Sequence, residues 1–226
     1  MKEEDLFDLG KINEVLEKLK ERKFFVSEAH FQTEFIVQAS LLYPGFRFFP
    51  EISAPKIPSD FKESFGSRAA RFDLLVVKDH IQTLIEFKYI TKHYEEEIEG
   101  FHLEVKSQDA WDVRRYDCWK DIARIEAFVK DPQTDINAGY FILITNVDLL
   151  WRESTKQTQD EAFRIHEGQH RANTLSWGPT ASAGTKAGRE KELVIRNDYA
   201  FHYEPFYEGI GKGAGTFQSL VIEIKD

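Results

Sequence analysis

Three ionisable residues stand in an apolar background between Arg71 and Ile90: Asp73, Glu86 and Lys88, within RFDLLVVKDHIQTLIEFKYI. Desolvating an ion costs several kcal/mol unless it is paired or metal-bound, so charges in such a setting need a reason. The stretch reads as two strands, at about 70–77 and 82–90, around the turn Lys78-Asp79-His80-Ile81. A four-residue loop pairs Val77 with about Gln82, which puts Asp73 opposite about Glu86. Directly opposed residues share a face, with Cβ atoms about 5 Å apart. Lys88, two residues beyond Glu86, points to the same face. Facing carboxylates repel unless something positive lies between them, and a divalent cation does that. Asp73 and Glu86 offer hard oxygens of the kind Mg2+ takes together with retained waters. Such a centre, with an ammonium beside it, suits metal-assisted hydrolysis of a phosphodiester.

These residues need elements to position them. Apolar positions at Leu6, Leu9, Ile12, Leu16 and Leu19 predict an amphipathic N-terminal helix, interrupted near Gly10. Ser27 can cap a second helix from Glu28 to about Leu42, with Phe31, Phe35, Ala39 and Leu42 inward and Glu34 beside that stripe. Phe46 to Ile52 reads as a strand, 53–68 as a loop, and 94–106 is charged and ambiguous. A helix is expected from about Asp109 to Lys130, then a strand buried on both faces at AGYFILITNV, 138–147. A further helix is expected at about 159–167, a long mobile loop at 168–190, and late strands at 192–203 and 217–225. The expected architecture is α/β: one domain with a mixed β-sheet flanked by helices, ordered helix, three strands, helix, strand. Residues 1–27 form an N-terminal helical extension and 148–226 a C-terminal elaboration.

Composition narrows the class. A net charge of -9 excludes a basic nucleic-acid-binding tail, though not local basic faces. The single cysteine, Cys118, permits no internal disulfide and no cysteine-rich zinc site, which points to a reducing compartment. The stretch MKEEDLFDLG is too acidic for a signal peptide, and the longest apolar run is too short to span a bilayer. A soluble cytoplasmic protein with no membrane partner is the expectation.

The pattern Asp73, twelve residues, Glu86-Phe87-Lys88 resembles the PD-(D/E)xK nuclease superfamily, the restriction-endonuclease-like fold. The surrounding order of elements is similar to that superfamily's core and covers roughly residues 28–147. The resemblance implies that Asp73 and Glu86 ligate the metal, joined by the backbone carbonyl of Phe87. It implies that Lys88 positions the water, and that Glu34, by its place on the first core helix, supports metal or water. It implies Mg2+ as cofactor with Mn2+ as substitute, a DNA substrate with RNA left open, and a homodimer if both strands are cut together. Phe72 replaces the motif's proline, and Gln108 and Tyr116 are eight apart where the RecB-like branch has Gln-x-x-x-Tyr, so no subfamily is assigned. Arg68, Arg71, Lys92, Arg115 and Lys120 are the candidates for phosphate contacts, alongside Arg114 and Arg124 on the same predicted helix.

Two other readings compete. One is a nuclease-fold protein without catalysis, serving as a nucleic-acid-binding or assembly module. The other is a zinc hydrolase using His166-Glu167-Gly168-Gln169-His170, the H-E-x-x-H pattern that grips Zn2+ when its histidines share a helix face. Gly168 weakens such a helix.

Overall fold

The computed structural model describes residues 5–54, 57–65 and 70–225. Helix α1 (Leu9–Lys20) starts one residue before Gly10, where the Asp8 carboxylate accepts the Lys11 N–H, so Leu6 lies outside it. Helix α2 (Glu28–Leu42) is capped by Ser27 Oγ on the His30 N–H, as expected from the sequence, and buries Phe31, Phe35 and Ala39. Next come β1 (Arg47–Ser53), the short helix α3 (Ser59–Phe65), β2 (Arg71–Lys78) and β3 (Ile81–Ile90). Helix α3 departs from the expected 53–68 loop: Phe61 and Phe65 pack together and Phe61 meets Phe128 edge-on. That partner lies far along the chain, so no local signal announces it. The charged stretch 94–106 forms a hairpin, β4 (Tyr94–Ile98) and β5 (Phe101–Val105). Helix α4 (Trp111–Val129) and strand β6 (Ile136–Thr145) follow, then a single turn α5 (Asp148–Trp151).

The C-terminal part differs most from expectation. Only a 3-10 turn, Glu161–Phe163, stands where a helix was expected at 159–167. The 168–190 segment holds strand β7 (His170–Leu175) and a helical turn α6 (Ala183–Lys186), not a structureless loop. Its order comes from tertiary contacts. β7 pairs with β8 (Leu193–Ala200), and Trp177 stacks on Tyr116 at 5.7 Å while donating to the Arg189 carbonyl. Strands β9 (Tyr203–Glu208), β10 (Lys212–Gly213) and β11 (Thr216–Ile224) complete the chain.

The main sheet has the order β1-β2-β3-β6-β11-β9. β1 pairs antiparallel with β2 and β2 antiparallel with β3, whereas β3 pairs parallel with β6. α4 makes the crossover between the parallel pair, as a parallel connection requires. Side chains alternate across the sheet: Leu84, Ile90, Phe141 and Leu143 pack under α4, while Ile85, Phe87, Tyr89, Tyr140 and Ile142 pack under α1 and α2. The fold is therefore α/β with a mixed sheet between helical layers. No helix among the described residues is long and apolar enough to cross a membrane.

The contact of α4 with β6 is close. A Cβ on Gly139 would sit 2.0 Å from Ile125 Cγ2, a β-branched side chain with little rotamer freedom. Gly139→Ala is expected to destabilise the protein by about 1–3 kcal/mol through overpacking. A thermal midpoint lower by roughly 2–4 °C per kcal/mol would show it.

Candidate active site

The β2–β3 hairpin has the register expected from the sequence, with Val77 opposite Gln82 and Leu74 opposite Ile85. Its turn is tighter than expected. Lys78 also pairs with Ile81, which leaves a two-residue turn with Asp79 at φ 53°, a conformation Asp tolerates. The ladder stops at Leu74–Ile85, whereas β3 continues along β6 as far as Ile90. Alternation along β2 breaks at the same place, since Phe72 packs under α4 and Leu74 on the opposite face.

Beyond that point the outer edge of β3 has no strand partner among the described residues, and its backbone groups must bond elsewhere. Side chains meet them. Asp73 Oδ2 accepts the Phe87 N–H at 2.8 Å, and Lys88 Nζ donates to the Phe87 carbonyl at 3.2 Å. Glu28 Oε2 accepts the Tyr89 N–H at 2.9 Å, and Gln108 Nε2 donates to the Tyr89 carbonyl at 3.1 Å. Gln32 Nε2 donates to the Asp73 carbonyl at 2.6 Å, which ties α2 to the end of the ladder. Asp73 is thus held against the edge of β3 and does not stand as a simple cross-strand partner of Glu86.

Glu86 and Lys88 point toward α4, which supplies two residues that complete the cluster. Asp121 Oδ2 lies 2.7 Å from Lys88 Nζ. Arg124 Nη1 lies 2.8 Å from Asp121 Oδ1 and 3.3 Å from Glu86 Oε1. That Glu86 oxygen is buried and makes no hydrogen bond among the described residues. The carboxylates of Glu28, Asp73, Glu86 and Asp121 interact with the cations of Lys88 and Arg124, a formal excess of two negative charges.

The electrostatics follow from this arrangement. Burial, then repulsion from Asp121 and Asp73, pushes the Glu86 pKa well above the glutamate range, despite Arg124 and Lys88. Burial opposes the Lys88 ammonium, but Asp121, Glu28 and Glu86 outweigh it and raise its pKa, so Lys88 stays charged. Glu28 stands at an exposed helix position, yet its carboxylate reaches inward. Desolvation there raises its pKa against the pull of Lys88 and the Tyr89 N–H.

One consequence can be measured. The folded state keeps the Glu86 proton to a higher pH than the unfolded chain, where glutamate titrates near about 4.3. Ionising Glu86 therefore costs metal-free stability as pH rises from there through the raised folded value. The stability of Glu86→Gln relative to wild type should grow with pH across that window, in thermal unfolding with EDTA. A difference that is flat with pH would contradict the raised value.

The remaining expected residues are placed as follows. Glu34 does not face this cluster. It pairs with Arg22 at 3.3 Å and lies 3.9 Å from His30, and Glu28, one turn and a half earlier on α2, is the helix glutamate that reaches β3. Of the basic candidates, Lys120 lines a cleft of about 410 Å³ that Glu28, Lys88, Asp121 and Arg124 also line, whereas Asp73 and Glu86 do not. Arg71 pairs with Glu51, Lys92 with Asp148 and Arg115 with Asp160, so their charges are met locally. Arg68 lies outside the described residues.

The H-E-x-x-H residues do not form a zinc-binding helix. Gly168 adopts φ 70°, and His170 opens strand β7. Glu167 accepts from Tyr203 N–H at 2.7 Å and sits 3.2 Å from His202 Nδ1, while His170 lies 3.4 Å from Asp198.

A hard divalent cation suits the donor set at the cluster. Asp73, Glu86 and the Phe87 carbonyl are oxygen donors, Glu86 Oε1 is buried without a hydrogen bond, and the negative charge is in excess. Among the described residues no group of three His, Cys, Asp or Glu side chains is arranged to grip a metal. Two carboxylates, a carbonyl and retained waters are the mode Mg2+ favours over an all-protein cage.

Asp121 and Arg124 were visible in the sequence only as charges on a helix face. The usable signal was the spacing of Asp121, which with Cys118 and Ile125 continues the buried face of α4, with Arg124 half-buried at its edge. No family model, curated protein or solved structure matches this chain.

Proposed function

We propose that this protein is a metal-dependent endonuclease that hydrolyses DNA phosphodiester bonds, with a restriction-endonuclease-like core. The observation that carries the reading is the cluster of Asp73, Glu86 and Lys88 where β2 leaves β3, with its excess negative charge and adjoining cleft. The order α2, β1, β2, β3, α4, β6, with β3 parallel to β6, supports the core assignment. Asp73, Glu86 and the Phe87 carbonyl would hold Mg2+, or Mn2+ in its place. The bound cation supplies Lewis-acid chemistry at the phosphoryl group.

The chain's own residues do the rest. Lys88, kept cationic by its carboxylate neighbours, orients the attacking water and stabilises charge on the phosphoryl oxygens. Asp121 holds the ammonium at 2.7 Å and fixes its direction. Water adds to phosphorus and loses a proton to solvent or to a site carboxylate, while the bond to the leaving nucleotide oxygen breaks and that oxygen takes a proton from solvent.

The test is cleavage of plasmid and single-stranded DNA with Mg2+ or Mn2+ by wild type and Lys88→Ala. Metal-dependent cutting by wild type, lost in the variant, is expected. No cutting under any of these conditions would favour a non-catalytic binding module.

A further inference from the structure

The cleft extends past the metal-binding cluster along α4, toward Arg114. Arg114 and Lys120 both line it and make no ion pair among the described residues, and the Arg114 Nε is buried without a hydrogen-bond partner. Asp117 lies between them but is held by Arg189 through two bonds of 2.8 Å, so it does not neutralise them. Seven residues of helix separate Arg114 from Asp121, a rise of about 10 Å, or a few nucleotides along a strand. Phe65 of α3, partly buried and packed on Phe61, lines the same cleft.

The centre itself is recessed. Side-chain exposure is 3% for Glu86, 9% for Asp121, 17% for Arg124 and 21% for Lys88. An intact duplex carries its phosphates on a stiff convex cylinder and meets such a recess less closely than a flexible strand does. A single strand can splay a nucleotide into a cleft of this size, its phosphates on cations and its base on an aromatic ring.

We infer that the cleft is a subsite for a single DNA strand, with Arg114 and Lys120 on phosphates flanking the scissile one and Phe65 as a stacking surface for a base. The inference rests on the nuclease reading for the identity of the scissile bond, but its test does not require cleavage.

Binding of a short labelled oligonucleotide, single-stranded or annealed to its complement, is measured by fluorescence anisotropy in EDTA over a range of salt. The single strand is expected to bind at least ~10-fold more tightly than the duplex. Arg114→Gln and Lys120→Gln should each weaken it several-fold and lower the salt slope by about 0.7. Phe65→Ala should weaken it with the slope unchanged. Circular dichroism of each variant separates these losses from misfolding. Duplex bound as tightly as single strand, or folded Gln variants with the wild-type slope, would overturn the inference. Absence of hydrolysis alongside the expected binding would count against the nuclease reading only.

Discussion

Glu86→Gln is expected to lower metal-dependent DNA cleavage on the order of 10³-fold, the scale for losing one preorganised charged group at a reaction centre. The same substitution should leave the metal-free protein as stable as wild type or more stable. The two effects share a cause. Glu86 is 2% exposed, faces Asp121 and Asp73, and has a buried oxygen without a hydrogen bond. An uncharged isostere relieves that repulsion but cannot ligate a hard cation with the same strength. Plasmid cleavage and thermal unfolding with and without EDTA read both effects. A Glu86→Gln protein that cuts normally would remove Glu86 from the site, and one that unfolds would make Glu86 a structural residue.

Arg124→Met should be the most destabilising substitution at the cluster in the absence of metal. Arg124 lies between Asp121 at 2.8 Å and Glu86 at 3.3 Å, both deeply buried, and stacks its guanidinium over Phe72 at 5.1 Å. Removing one partner of a buried ion pair leaves the other charge uncompensated, at about 3–5 kcal/mol. In a protein of this size that is a thermal midpoint lower by roughly 6–20 °C. A divalent cation bound nearby would replace much of the lost positive charge. Mn2+ should therefore raise the midpoint of Arg124→Met by more than it raises that of wild type. Equal shifts would mean that the cation does not bind where Arg124 compensates the carboxylates.

The hairpin was legible because it is local. Period-two alternation and turn length gave the register from Leu74–Ile85 to the turn without tertiary information, but not the place of Asp73 beyond the end of the ladder. Ser27 likewise announced α2 to the residue. What escaped the sequence depends on partners far along the chain. The break in alternation at Asp73 arises where β2 parts from β3, and the open edge of β3 then recruits Glu28 from α2 and Gln108 from the segment before α4. The family resemblance favoured Glu34 by its place on α2, but Glu34 turns toward Arg22. Arg124 read as a phosphate contact on a charged helix, and its tie to Asp121 and Glu86 emerges only when α4 is laid against β3. The 168–190 stretch, rich in glycine and small polar residues, takes its order from β8 and from Trp177 against Tyr116.

The central claim is that Asp73 and Glu86 hold one divalent cation beside Lys88. Calorimetric titration of Mn2+ into wild type, Asp73→Asn and Glu86→Gln tests it most directly. Binding of one Mn2+ per chain by wild type is expected, taken up more tightly as pH rises and Glu86 gives up its proton, and strongly weakened in both variants. Wild-type binding that survives both substitutions, or no binding by the wild type, would contradict it.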